Sequence, residues 1–146
     1  MRIIAFDLGK NMAFAINLNG IQTGRITFDG IRSHRQGKLL DWLQTLPWEK
    51  YDAVIYETPF ARGRDATRSL WGIAGVIEAV ASKHYKPVVD AAVPTIKKFA
   101  TGHGKASKEE MIAAARKFGY RGENEHEADA VCLLCYAEAN LERVLT

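Results

Sequence analysis

Two short apolar runs in this chain each close on a carboxylate: Ile3-Ile4-Ala5-Phe6 on Asp7, and Ala53-Val54-Ile55-Tyr56 on Glu57. Runs of this length without polar alternation read as strands covered on both faces. An acid at the end of a buried strand is costly unless a cation or a hydrogen-bond network holds it. The fold must therefore bring such ends to a place where a carboxylate can be accommodated. A third acid, Asp129, falls in His126-Glu127-Ala128-Asp129, on what reads as a C-terminal helix. Two strand-end acids and an acidic helix suggest a shared metal site.

The remaining pattern supplies elements around those strands. Residues 2–7 read as the first strand, and Met12 to Asn17 and Gln22 to Phe28 as two more, joined through Asn19-Gly20, a strong hairpin signal. The link at Gly9-Lys10-Asn11 is equally short, so three consecutive antiparallel strands are expected. Ser33 to Leu46 carries Leu39, Leu40, Trp42, Leu43 and Leu46 at helical spacing and stops before Pro47. Ala53 to Glu57 is the fourth strand. After the Thr58-Pro59 break, Asp65 to Lys83 reads as a helix with Leu70, Ile73, Ala74, Ile77 and Val80 inward. Its Gly72 and Gly75 either permit close packing or cost stability. Pro87-Val88-Val89-Asp90 is a short fifth strand, and Pro94 opens a brief helix at its first position. Gly102-His103-Gly104 interrupts that helix. Ser107-Lys108-Glu109-Glu110 is a capping box for the next, which runs to about Phe118. The last helix starts near Asn124, with Glu127 three residues on as a second plausible box.

This order predicts an α/β protein with a mixed five-stranded sheet, three antiparallel strands and then parallel ones, flanked by helices. Right-handed crossovers put the fourth strand beside the first, so Asp7 and Glu57 should emerge as neighbours. No repeat, low-complexity tract or long linker is visible, and residues 1–146 are expected to form a single domain.

Composition narrows the class further. A hydrophobic content of 47% with a mean hydropathy of -0.17 fits a globular chain and not a disordered one. Every apolar stretch is interrupted well short of the ~18 residues a membrane span needs. Asp7 and Lys10 sit where the apolar part of a signal peptide would run, so a cytoplasmic location and no membrane partner are expected. The net charge of +3 points to nucleic acid only weakly. Its distribution says more: Arg62, Arg64 and Arg68 follow Glu57, and Lys97, Lys98, Lys105 and Lys108 cluster later. Any one of these can equally be part of a solvated face. Cys132 and Cys135 form a C-x-x-C inside an apolar helical stripe with no further zinc ligands at compatible spacing, and read as core.

Four local motifs, in order, carry a resemblance: Ile4-Ala5-Phe6-Asp7-Leu8-Gly9; Val54-Ile55-Tyr56-Glu57-Thr58-Pro59-Phe60; Lys97 through Gly102-His103-Gly104-Lys105-Ala106-Ser107-Lys108; and His126-Glu127-Ala128-Asp129-Ala130. Together the chain resembles the RuvC-type Holliday-junction resolvases of the RNase H-like superfamily along essentially its whole length. The resemblance implies that Asp7, Glu57 and Asp129 are metal-binding acids, with His126 on a fourth catalytic position. It implies that Phe60 stacks on bases and that Lys97 and Lys108 contact or polarise the scissile phosphate. Leu8 replaces the usual proline of the first motif, and the basic stretch through Arg62 and Arg64 is not typical of bacterial cellular members. Those departures look more like a phage-borne or divergent relative.

The expected chemistry is phosphodiester hydrolysis of a four-way or other branched DNA junction, leaving 5′-phosphate and 3′-hydroxyl ends. Hard carboxylate oxygens suit Mg²⁺ or Mn²⁺, and two ions about 4 Å apart can activate water and stabilise both oxygens of the displacement. His126 would ligate a metal or deprotonate water. Paired cuts call for a two-fold homodimer, with the helix carrying Trp71, Gly72 and Gly75 as its candidate surface. Arg62, Arg64, Lys98 and Lys105 would add backbone contacts. The bland readings stand beside these: Asp7 and Glu57 as turn residues, His126 as an exposed helix-start residue, Phe60 as core, and Lys97 and Lys98 as solvated face. At the level of function, a YqgF-like RNA-processing nuclease and a cleavage-deficient junction-binding protein are the alternatives.

Overall fold

The computed structural model describes residues 1–60 and 63–145; Arg62 lies outside them. The elements are β1 (Ile3–Asp7), β2 (Asn11–Ile16), β3 (Gln22–Thr27), α1 (Arg32–Gln44), β4 (Ala53–Glu57), α2 (Arg64–Lys83), β5 (Val88–Ala91), α3 (Val93–Thr101), α4 (Lys108–Lys117) and α5 (Glu125–Leu145), with a 3-10 turn at Trp48–Lys50. The strands form one sheet in the order β3-β2-β1-β4-β5. β1, β2 and β3 pair antiparallel, whereas β4 runs parallel to both β1 and β5. This is the α/β arrangement the element order predicts.

Strand period decides which way each acid points. Side chains alternate between the two faces of a sheet, so residues two apart share a face. Ile3 and Ala5 of β1, with Ala53 and Ile55 of β4, pack in a core with residues of α3, α4 and α5. Ile4, Phe6, Val54 and Tyr56 pack on the opposite face with α1 and α2. Asp7 and Glu57 continue the first series and therefore belong to the α5 face. Register adds the second coordinate, because Phe6 lies beside Tyr56 and the next residue of each strand is the acid.

Local sequence explains the turns. Between β2 and β3, Asn19 and Gly20 both take positive φ, 55° and 93°, the twist that lets two strands fold back tightly. On β3, Gly24 lies opposite Phe14, and a Cβ there would stand 2.3 Å from the Phe14 ring. α3 stops at Gly102 in the left-handed region, φ 93°. Val93 precedes Pro94 in α3, so the proline occupies the second helical position and not the first; its missing donor is harmless at either.

The helices follow the apolar spacing with two differences. In α1, Leu39 and Leu43 are buried and Trp42 packs against Phe6 and Phe14, but Leu40 faces outward. In α2, Ala74, Ile77, Val80 and Ala81 are buried while Leu70 and Ile73 are half-buried. Gly72 is where α1 comes close, since a Cβ would meet the Gln36 Nε2 at 2.2 Å; at Gly75 nothing lies within 4 Å. Cys132 is fully buried and Cys135 half-buried, and burial pushes both thiols up to about 12, as inert core residues. Among the described residues, no helix is long and apolar enough to cross a membrane.

Candidate metal centre

Asp7 ends β1, Glu57 ends β4, and Asp129 sits one turn into α5. One carboxylate oxygen from each of the three lies within 4.8 Å of the others. His126, three residues before Asp129 and so on the same face of α5, brings its Nδ1 to 2.9 Å from the Asp7 Oδ2. Positions 7, 57 and 129 thus converge from two strands and a helix on one point, with His126 beside them on Asp7.

The start of α5 is fixed by Asn124. Its side-chain oxygen accepts the backbone N–H groups of His126 and Glu127, each at 3.0 Å. The second capping box is only half made, however. The Asn124 N–H donates to the Tyr120 hydroxyl at 3.0 Å, while the Glu127 carboxylate turns to β3. There it accepts from the Thr23 hydroxyl at 2.6 Å and pairs with Arg25 at 2.9 Å. The cross-sheet partners win because they include a cation that the helix terminus lacks. The exchange ties the helix start to the outer strand.

Electrostatics in the cluster run in one direction. Asp7 is only 7% exposed, and burial raises its carboxyl pKa despite the hydrogen bond and charge of His126. Burial, then the charges of Asp7 and Asp129, push Glu57 well above the usual carboxylate range, with Lys97 opposing. Asp129 is pushed up to about 7, first by burial and then by Asp7. The Asp7 hydrogen bond raises His126. Three carboxylates this close cannot all ionise cheaply without a positive charge among them. Among the described residues, the Glu57 and Asp129 carboxylates have neither a hydrogen-bond nor an ion-pair partner. This all-oxygen donor set, with one imidazole at its rim, fits a hard divalent cation such as Mg²⁺ or Mn²⁺.

The basic residues divide into two groups. Lys97 and Lys108 border a cavity of about 170 Å³ that also contains Glu57 and Asp129. Lys98, Lys105 and Arg64 are exposed and lie apart from that cavity. Phe60 is 86% exposed, which excludes the core reading for its ring. The loop carrying it is pinned at its root. Thr58 donates its N–H to the Ala91 carbonyl at 2.9 Å and its hydroxyl to Asp90 at 2.6 Å. Neither Asp90 nor Glu125, which pairs with Lys108 at 3.1 Å, stood out in the sequence. Their partners lie 32 and 17 residues away, and only chain packing brings them together.

No protein-family model matches the chain, and no curated protein matches it in sequence. Among solved structures, it is similar to RuvC of Thermus thermophilus, with a TM-score of 0.78 at 18% identity over 99% of this chain and 97% of that one. It is also similar to the T. thermophilus RuvC in complex with a Holliday junction substrate, with a TM-score of 0.79 at 21% identity over 99% and 96% of the two chains. Among the described residues, the five-stranded mixed sheet and the five α-helices have the fold of T. thermophilus RuvC.

Proposed function

We propose that this protein is a metal-dependent, structure-selective endodeoxyribonuclease that resolves four-way or other branched DNA junctions, leaving 5′-phosphate and 3′-hydroxyl ends. The observation that carries the reading is the meeting of Asp7, Glu57 and Asp129 within 4.8 Å at one end of the sheet, beside Lys97 and Lys108. A fold that in T. thermophilus RuvC is seen with a Holliday junction substrate supports DNA as the partner.

Asp7, Glu57 and Asp129 would hold the metal, with His126, beside Asp7, as a further ligand or as the base. Two bound Mg²⁺ or Mn²⁺ ions supply an activated water and neutralise charge on the reacting phosphate. The protein's own groups do the rest. His126, bonded through Nδ1 to Asp7 and with its Nε2 3.5 Å from Glu125, would orient the water or take a proton from it. Lys97 and Lys108 place positive charge over the non-bridging phosphate oxygens. Phe60, exposed on its pinned loop, stacks on a base near the crossover. Arg62, Arg64, Lys98 and Lys105 extend the contact along the backbone.

Residues 1–146 act as one nuclease domain, working in the cytoplasm as a two-fold homodimer so that both strands are cut. α2 is the candidate dimer surface. Gly72 is taken up by Gln36 of the same chain, which leaves the exposed Trp71 and Gly75 for a partner. The test is cleavage of four-way, three-way, flap and linear DNA and of structured RNA with Mg²⁺. Four-way DNA should be cut in preference, and Asp7→Asn should abolish cutting while leaving binding largely intact. Preferential cutting of RNA, or wild-type cutting by the Asp7→Asn protein, would overturn the proposal.

A further inference from the structure

Lys108 stands between two cavities. It borders the small one that contains Glu57 and Asp129, and also an open groove of about 910 Å³ whose wall includes His126, Glu109, Glu123 and Glu125. The ammonium is turned to the groove, with its Nζ 3.1 Å from the Glu125 Oε2 and 3.4 Å from Oε1. The same carboxylate lies 3.5 Å from the His126 Nε2, whose other ring nitrogen is held by Asp7. One acid therefore connects the phosphate-binding lysine to the catalytic histidine.

We propose that Glu125 is a positioning residue that holds Lys108 in place of a backbone phosphate and yields it when DNA arrives. The inference rests on the junction-nuclease reading and names an element of that site. A carboxylate and a phosphodiester each offer an ammonium one negative charge over two oxygens, so they compete for the same donor. The Lys108 side chain is 74% exposed on a flexible stem, so it can swing from the groove to the small cavity without moving α4. An exposed ion pair of this kind is weak, which lets a phosphate displace it, helped by release of counterions from the DNA. Glu125 in turn keeps the lysine at the mouth of the site and away from the acid cluster until then. Its location at the first position of α5, next to the Asn124 cap, holds the carboxylate at that mouth.

The test is junction binding without divalent metal, at fixed pH and low salt, by the wild type, Glu125→Gln, Lys108→Gln and the double variant. Glu125→Gln should bind roughly two- to five-fold tighter, the range one exposed ion pair can supply. In the Lys108→Gln background the same change should give less than half of that gain. Equal gains in both backgrounds would reduce Glu125 to a repelling surface charge and overturn the proposal, as would no gain in the wild-type background. Either result leaves the junction reading intact. A wild-type protein that binds four-way and linear DNA equally defeats that reading instead, and one that binds no DNA removes both.

Discussion

Asp7, Glu57 and Asp129 share a difficulty that shapes the site's response to pH. Their carboxyl groups are raised above their ordinary values, Asp129 to about 7, so the metal-free folded state binds more protons than the unfolded chain. The stability that follows is complete below the unfolded value, about 4, and is lost as pH rises through the folded value. His126, also raised, loses its contribution in the same direction. The melting temperature of the metal-free protein should therefore fall between about pH 5 and pH 7.5, and Mg²⁺ should restore it at the upper end. Asp129→Asn should flatten that fall and be more stable than the metal-free wild type near pH 7.5. A variant that follows the wild-type curve would show that Asp129 carries no such strain. His126→Ala should slow cleavage or change the preference between Mg²⁺ and Mn²⁺; unchanged rates with both would reduce the residue to scaffold.

Among the elements, α5 matters most because it carries two of the four site residues and is set by a single cap. Removing a cap of this kind costs about 1 kcal/mol. Asn124→Ala should lower the melting temperature by a few degrees and reduce cleavage more than junction binding, because His126 and Asp129 lose their common anchor while Lys97 and Lys108 do not. Equal losses of both would place the cap outside the site. The Asn124 cap could be read in the sequence, as could the complete box at Ser107, where the hydroxyl and the Glu110 side chain each meet a backbone N–H. Capping chemistry spans only three or four residues, so the signal lies in neighbouring letters. Glu127 shows the limit of that logic, since Thr23 and Arg25 on β3 offer it better partners than its own helix does.

For the molecule as a whole, the sheet end gathers the acids and Lys97 and Lys108, while the two apolar cores lie along its faces. If those lysines meet the DNA backbone, binding should weaken steeply with salt, by a slope of about -0.9 per phosphate neutralised. Replacing both Lys97 and Lys108 with Gln should make the slope shallower by roughly one to two units, measured as the logarithm of the binding constant against that of salt. A slope that does not change would move the DNA path elsewhere.

The sequence by itself determined the elements and their order, because strand runs, helical spacing, Asn19-Gly20 and the caps are local patterns with local energies. It also implied that Asp7 and Glu57 would be neighbours, since a right-handed crossover leaves β4 little choice but to lie beside β1. Whether Leu40 faced in or out, that Gly72 admits Gln36, and that Lys108 rests on Glu125 were decided only in three dimensions. Each of those depends on which surfaces remain uncovered once the sheet and helices have packed. An apolar or charged side chain carries the same propensity whichever neighbour it finally meets, so the choice of partner is made by packing.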